Sequence, residues 1–190
     1  MLASSSPRRA GLLRLIVPEF AVRPPGVEEG PIRRPADLLE AARHKALAAR
    51  GSPEEIVIGA DTAVFHRGRC FGKPRDPEEA RWMLSQLSGD WHHVYTGLVA
   101  LRGDREVREL VLTRVRFRTL SPGEIDWYLS REDVLDKAGA YAIQGAASAF
   151  VAELWGDFTN VMGLPLGALY RLLRELGWRP VPVVTGGDRR

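Results

Sequence analysis

Two long β-strand patterns that follow each other almost directly place the strongest constraint on the fold. They are HHVYTGLVALRG and REVRELVLTRVRFRTL, and they meet around Gly103. A connection this short between two strands predicts a hairpin, in which the strands run antiparallel. We therefore expect a sheet with antiparallel strands, and a doubly wound, wholly parallel sheet is disfavoured.

Helical patterns alternate with the strands. A further strand and hairpin are predicted within EEIVIGADTAVFHRGRCFG, where two apolar runs flank a turn at RGR. Five helices are predicted, in PRRAGLLRLI, in PADLLEAARHKALAAR, from Pro77 to about Leu87, from Pro122 onward, and from about Pro165 to Gly177. This mixture predicts an α/β fold with a mixed twisted sheet and flanking helices. The length of 190 residues suits one domain, which we expect over residues 1–180, with a loose C-terminal tail over 181–190.

The composition excludes several classes of protein. With 45% apolar and 27% charged residues, the chain is of the soluble globular type. No apolar run approaches the roughly 18 residues of a membrane span, and no signal-peptide pattern is present, so we expect a cytoplasmic protein without a membrane partner. The single cysteine, Cys70, excludes an internal disulfide framework and a cysteine-built zinc site. The net charge of +3 permits a polyanionic ligand without singling out nucleic acid.

The first predicted helix has an unusual start, SSSPRR. Ser6 and Pro7 fit the cap and the first helical position, which puts Arg8 and Arg9 in the first turn, where an exposed positive charge is unfavourable by about 0.3–1 kcal/mol. The segments DPEEARWMLSQLSG and SPGEIDWYLS instead carry glutamate at the third helical position, and both are predicted to form capping boxes. Free backbone N–H groups, serine hydroxyls and two guanidinium groups together suit phosphate oxygens. The alternative is a pair of solvated arginines near a helix end.

A carboxylate follows the apolar run of IVIGADT, at the predicted end of a buried strand. Asp61 on such a rigid support suits a general base or a metal ligand, with a turn aspartate that bonds local backbone as the alternative. Glu28 and Glu29 offer further carboxylates, and Lys45 and Lys73 offer positive charges for phosphate. Taken singly, residues of these types more often occupy ordinary surface positions.

The histidines and an arginine-rich strand favour structural roles. His92 and His93 are neighbours in a predicted strand, so they point to opposite faces and do not easily share a site. Alternation puts Arg114, Arg116 and Arg118 on one face, which is predicted to be a solvated sheet face, with nucleic-acid binding as the alternative. The sequence holds no Walker A motif, no glycine-rich dinucleotide fingerprint and no serine nucleophile elbow.

Six segments occur in an order that closely resembles the Maf family of nucleoside triphosphate pyrophosphatases. They are LASSSPRR, GADT, GKPRD, SGDWHHVYTG, DKAGAYAIQG and NVMGLPL, and they run from Leu2 to Leu166. The resemblance implies hydrolysis of a nucleoside triphosphate to a monophosphate and pyrophosphate, assisted by a divalent metal cation, Mg²⁺ or Mn²⁺. It also implies two lobes around a cleft, a shape related to that of the inosine triphosphate pyrophosphatases, and a homodimer.

The resemblance also implies roles for individual residues. Asp61 becomes the proton acceptor or a metal-organising carboxylate, and Glu29 a second acidic residue at the metal and the water. The other matched positions are Ser4, Arg8, Arg9, Lys45 and Lys73 for triphosphate contacts, and Arg8, Thr62 and Gln144 for substrate choice. The form DKAGAYAIQG resembles the branch that prefers dTTP and UTP. In a departure from the family pattern, Met1 directly precedes LAS, so we expect either a shortened first strand or a true start upstream of Met1.

The chemistry of the residues supports only part of this selectivity. The Gln144 amide presents a donor and an acceptor that match N3–H and O4 of uracil or thymine, but a flipped amide matches cytosine. Discrimination against cytosine therefore does not follow from Gln144 alone. Two other functions stay open at this point: a nucleic-acid-binding module, and a nucleotide sensor linked to cell division that binds without hydrolysis.

Overall fold

The structure, a computed structural model, describes residues 1–27 and 30–180. The acidic pair Glu28 and Glu29 and the predicted tail 181–190 lie outside the described residues. The strands are β1 (Leu2–Ala3), β2 (Val57–His66), β3 (Arg69–Phe71), β4 (Trp91–Arg102), β5 (Arg105–Phe117) and β6 (Val151–Trp155). The helices are α1 (Pro7–Arg14), α2 (Asp37–Ala48), α3 (Pro77–Leu87), α4 (Pro122–Leu129), α5 (Phe158–Val161) and α6 (Leu166–Glu175), and 3₁₀ turns form at Ala138–Ala140 and Ala146–Phe150. None of the helices in this part of the chain has the length and apolar character that crossing a bilayer requires.

The strands form one six-stranded sheet in the order β1-β2-β4-β5-β6, with β3 paired to β2 as well. β1 runs parallel to β2, whereas the other pairs are antiparallel. Both predicted hairpins are confirmed, and their turns contain Gly68 and Gly103 at φ values of +76° and +54°, a backbone conformation that glycine adopts readily. The predicted mixed α/β fold with flanking helices is therefore confirmed.

One edge of β2 carries two short strands with a gap between them. β1 pairs with β2 at Ile58 and Gly59, and β3 pairs with it from Val64 to His66. Between these contacts, and within the described part of the chain, residues 60–63 have a strand partner only on the β4 side. The edge of the sheet is therefore open at the middle of β2.

One face of β2 is covered by α2, which approaches unusually closely. A Cβ atom on Gly59 would lie 2.1 Å from the backbone oxygen of Ala42, and one on Gly97 would lie 2.3 Å from that of Leu38. Contacts this short exclude any side chain, so both strand positions require glycine. The two glycines thus set the distance between α2 and the sheet.

The opposite face of β2 carries two separate apolar clusters. Ala60 belongs to a cluster that includes Leu169 of α6, and Val64 belongs to another that includes Leu84 of α3. Thr62 lies between them on the same face, because alternate residues of a strand share a face. This arrangement agrees with the two lobes around a cleft that the family resemblance implies.

The prediction that Asp61 ends a strand is wrong. β2 continues to His66, so Asp61 lies in the interior of the strand. The interior of a strand tolerates this carboxylate because the ammonium group of Lys45 lies against it.

One of the two predicted capping boxes is also wrong. Asp76 accepts the N–H of Glu79 at 2.7 Å, but the Glu79 carboxylate accepts the N–H of Arg75, one residue before the cap, at 2.8 Å. The guanidinium of Arg75 donates to the same carboxylate oxygen, which favours this position over the cap itself. The capping box predicted for Ser121 and Glu124 is present.

The arginine face of β5 is engaged within the protein. Arg116 pairs with Glu153, and the guanidinium of Arg114 lies 4.9 Å from the centre of the Trp91 ring. The alternate residue Val115 is fully buried on the other face, as the pattern predicts. These contacts support a structural role for this face of the sheet.

Candidate active site

A cavity of about 910 Å³ lies at the gap in the edge of β2. Small-molecule sites typically have volumes of about 300–1,000 Å³. The cavity brings together every predicted site residue of the described part of the chain: Ser4, Arg8, Arg9, Lys45, Asp61, Thr62, Lys73 and Gln144. The remaining predicted residue, Glu29, lies outside the described residues.

An ion pair between Lys45 and Asp61 occupies the wall under α2. The Lys45 Nζ lies 2.5 Å from Oδ1 of Asp61, and the two side chains are only 7% and 12% exposed. The close approach of α2, which depends on Gly59 and Gly97, brings the lysine to the strand. Removing one partner of a buried pair leaves an uncompensated charge, at a cost of about 3–5 kcal/mol. The pair therefore fixes one carboxylate firmly at the cavity wall.

The start of α1 is organised as predicted. The Ser6 hydroxyl accepts the N–H of Arg9 at 3.5 Å, and the Ser4 hydroxyl accepts the N–H of Ser6 at 3.1 Å. Arg9 turns inward, where its Nε donates to the backbone oxygen of Gly163 at 2.7 Å and its Nη2 donates to Oγ1 of Thr62 at 3.0 Å. Arg9 is therefore held in place as part of the cavity wall.

Arg8 contacts the carboxylate of Asp136, which no local residue pattern predicts as a site residue. Its Nη1 lies 2.9 Å from Oδ2 of Asp136, whose other oxygen lies 2.6 Å from Nζ of Lys137. Although burial acts in the opposite direction, the hydrogen bonds from Lys137 and Arg8 lower the pKa of Asp136. Both newly identified residues line the cavity. The available signal was their position within DKAGAYAIQG, a segment that carries the family resemblance.

Thr62 is held by a buried chain of hydroxyl and amide groups. Its Oγ1 lies 2.9 Å from Oγ1 of Thr96, which donates to the backbone oxygen of Asn160 at 3.3 Å. The Asn160 amide in turn donates to the backbone oxygen of Val94 at 3.0 Å. Thr96 and Asn160 are fully buried, so Thr62 has little freedom to move.

The loop that carries Gln144 begins with a constrained backbone. Gly139 has a φ of +70°, and a Cβ atom there would lie 2.8 Å from the side chain of Val64. Its N–H donates to the backbone oxygen of Gly72 at 3.0 Å, which joins the loop to the segment that contains Lys73. Gln144 itself is exposed and lines the cavity.

Cys70 and His92 have environments that agree with structural roles. Cys70 lines the cavity, but burial raises the pKa of its thiol, and a protonated thiol is a weak nucleophile. His92 is fully buried, and burial lowers its pKa to about 3. His93 is only partly buried, on the opposite face, so the prediction that the two histidines point apart is confirmed.

The cavity wall carries two carboxylates, the kind of oxygen donor that a divalent cation binds. Among the residues that the structure describes, no three histidine, cysteine, aspartate or glutamate side chains are grouped closely enough to hold a metal. The carboxylates of Asp61 and Asp136 are nevertheless hard oxygen donors at the cavity wall. Mg²⁺ commonly binds through about one or two carboxylates and completes its shell with substrate phosphates and water.

Comparison with known proteins identifies a family and close relatives. The family model described as Maf-like protein matches residues 1–176. A dTTP/UTP pyrophosphatase of Symbiobacterium thermophilum is 45% identical, over 98% of this chain and 97% of its own length. Proteins of the same name from Thermotoga petrophila and Anaeromyxobacter sp. are 44% and 47% identical, over 94% and 96% of this chain and 89% and 91% of their own lengths.

Proposed function

The chain belongs to the Maf family, and from this premise we propose that it hydrolyses dTTP and UTP to the nucleoside monophosphate and pyrophosphate. The observation that carries the proposal is the buried Lys45–Asp61 pair at the wall of a cavity rich in basic side chains. The substrate choice is supported by the relatives named dTTP/UTP pyrophosphatase, which match nearly the whole chain.

The charge of the cavity suits a triphosphate. Among the described residues that line it, basic side chains outnumber acidic ones: Arg8, Arg9, Lys45, Lys73 and Lys137 against Asp61 and Asp136. Guanidinium groups bind phosphate oxygens through paired hydrogen bonds, and lysines add compact positive charge. The start of α1 adds backbone N–H groups and the positive end of the helix dipole. These groups would hold the polyphosphate chain near Asp61.

Asp61 is the proposed proton acceptor. A water molecule that attacks phosphorus must lose a proton, and a fixed carboxylate within hydrogen-bond reach can take it. As the new P–O bond forms, the α–β phosphoanhydride bond breaks and pyrophosphate leaves with the bonding electron pair. Lysine and arginine side chains on the leaving group would stabilise the charge that develops there.

We also propose a divalent cation, Mg²⁺ or Mn²⁺, as the cofactor. Asp61 and Glu29 are the proposed protein ligands, with the substrate phosphates as further ligands. A bound divalent cation would neutralise charge that develops on the phosphate oxygens.

Base selection is assigned to Gln144, with Thr62 and Arg8 as further contacts. The Gln144 amide would donate to O4 and accept from N3–H of uracil or thymine. Because the side chain is exposed at the cavity, a bound base is free to approach it. The orientation of the amide, set by its surroundings, would then decide between uracil and cytosine.

The direct test is pyrophosphate release by the purified protein with Mg²⁺ or Mn²⁺, across dTTP, UTP, CTP, the purine triphosphates and their modified forms. We expect release from dTTP and UTP and little from the others. Preferential release of pyrophosphate from modified purine triphosphates would support the proposed hydrolysis but contradict the proposed preference for dTTP and UTP. Binding without release from any nucleotide would favour the alternative, a nucleotide-binding regulator of cell division.

Three other expectations stay predictions. The homodimer is testable by light scattering on the purified protein, and the cytoplasmic location by cell fractionation. Absence of nucleic-acid binding is testable by titration with duplex and single-stranded DNA at low salt, where electrostatic binding is strongest.

A further inference from the structure

The backbone just before Gln144 is held by buried side chains from other elements. The hydroxyl of Tyr128, at the end of α4, accepts the N–H of Ala142 at 3.1 Å. The hydroxyl of Tyr141 lies 2.9 Å from Nε2 of His92 on β4. Tyr128 and His92 are fully buried, and Tyr141 is 6% exposed. Hydrogen bonds at such positions have no water to replace them, so they restrain the backbone strongly.

A third anchor lies just after Gln144. Oε1 of Glu132 accepts the N–H of Ala146 at 3.1 Å. The carboxylate comes so close that a Cβ atom on Gly145 would lie 2.5 Å from Oε1. Glycine at this position is therefore what allows the carboxylate to reach the backbone.

The anchors on the two sides of Gln144 have a common origin. The N–H of Glu132 donates to the backbone oxygen of Tyr128 at 3.1 Å, so the two residues form one turn at the end of α4. Neither residue lines the cavity. Both act on the loop through its backbone N–H groups, at Ala142 and at Ala146.

We propose that Tyr128 and Glu132 are positioning residues for nucleobase selection. By fixing the backbone on both sides of Gln144, they fix the point from which its side chain reaches the base, so that the amide meets O4 and N3–H of uracil or thymine at hydrogen-bond distance. This inference rests on the proposed function, in which Gln144 contacts the base. A side chain that selects a base must be held within about 0.5 Å of its working position, and the two backbone anchors provide that restraint.

The test compares kcat/KM for UTP and CTP, which share the ribose and the triphosphate and differ only in the base. Tyr128→Phe removes one hydroxyl, and Glu132→Ala removes one carboxylate. Each variant is expected to lower the UTP/CTP ratio roughly three- to tenfold, the effect of losing one hydrogen bond. Glu132→Gln keeps an oxygen acceptor and should restore the wild-type ratio. Gln144→Ala gives the ratio when the amide is absent.

Tyr170→Phe is the matched control, because Tyr170 lies on α6 and packs against Trp178, away from the loop. The ratio of kcat/KM for UTP to kcat/KM for CTP in Tyr170→Phe should equal that of the wild type. Circular dichroism and thermal melts establish that each variant is folded, and the half-buried Glu132 gives a second route if Tyr128→Phe does not fold. Unchanged ratios in folded Tyr128→Phe or Glu132→Ala would overturn the inference and leave the proposed function intact. Absence of turnover in the wild type would overturn both.

Discussion

Two parts of the cavity wall, at Asp61 and at Gln144, are held in place in different ways. Asp61 lies inside a strand, under a helix that glycines allow to pack at the closest distance. Gln144 lies in an irregular loop that hydrogen bonds from neighbouring elements hold in place. The position of the proposed catalytic group therefore depends on close packing. In a close-packed interior, a change in the volume of one side chain displaces its neighbours. The proposed selecting group depends on a few polar contacts, which can change without disturbing the core.

The largest expected effect is at Asp61. Asp61→Asn keeps the shape of the side chain but removes the proton acceptor, so kcat should fall by about 10²–10⁴-fold. Pyrophosphate release measures the loss, and circular dichroism verifies the fold. Asp104→Asn makes the same change at a fully exposed side chain and should leave activity at the wild-type level. A folded Asp61→Asn protein with wild-type turnover would contradict the assigned role.

The next largest effect is expected on stability, at the close contact between Gly97 and α2. Gly97→Ala would place a Cβ atom 2.3 Å from the backbone oxygen of Leu38, so α2 must shift, at a cost of about 1–3 kcal/mol in the free energy of unfolding. Urea denaturation measures the change. Gly123→Ala is the matched control, since its Cβ atom would have no neighbour within 4 Å, and alanine within a helix should stabilise by about 0.5–1 kcal/mol. Equal stability of the two variants would show that α2 is not held this tightly.

His92, the partner of Tyr141, predicts a dependence of stability on pH. Burial lowers its pKa from 6.5 to about 3 in the folded chain. Between these values the unfolded chain binds a proton that the folded chain does not, so the free energy of unfolding should fall as pH falls, by up to about 1.4 kcal/mol per pH unit.

Denaturation is measured at several pH values between about 6.5 and 5.5, where carboxylates stay mostly ionised, and the difference between the wild type and His92→Gln isolates this contribution. His92→Gln lacks the titrating ring, so its stability should decline less steeply than that of the wild type. His44→Gln changes an exposed histidine and should keep the wild-type slope. Equal slopes in His92→Gln and the wild type would exclude a buried neutral imidazole.

The smallest effect is expected at the ion pair between Arg8 and Asp136. The Asp136 side chain is 56% exposed, and exposed pairs contribute about 0–1 kcal/mol, so Asp136→Asn should change stability little. Removing a negative charge beside Arg8 should instead strengthen the binding of inorganic tripolyphosphate severalfold. Calorimetric titration measures this affinity, with Asp104→Asn as the control. Weaker binding by Asp136→Asn would mean that the carboxylate is needed to hold Arg8 in place.

Features that depend on neighbours along the chain could be predicted from the sequence. The cap at Ser6 and the hairpin turn at Gly103 are set by local residue types, and both are present. Residue chemistry alone offered Arg8, Arg9, Lys45, Asp61 and Lys73 as candidates. The family resemblance joined them into one site and added Thr62 and Gln144. The role of Glu29 stays a prediction.

Features that depend on distant contacts could not be predicted from residue patterns. Asp136 meets Arg8 across a separation of 128 positions in the sequence, and no local pattern encodes such a pair. The wrong prediction for Asp61 has the same origin: an aspartate after a short apolar run is typical of a strand end, unless a lysine from another element lies against it. The anchors of the Gln144 loop, Tyr128 and Glu132, lie outside the motifs that carry the resemblance.

The gap at the edge of β2 has a consequence for the solubility of the protein. The unpaired N–H and C=O groups of a strand edge can form hydrogen bonds with a strand of another molecule, and many proteins aggregate in this way. Here the open edge is confined to residues 60–63, between β1 and β3. An incoming chain cannot extend its pairing beyond either neighbour, so the open edge admits a small ligand but does not favour growth of an intermolecular sheet.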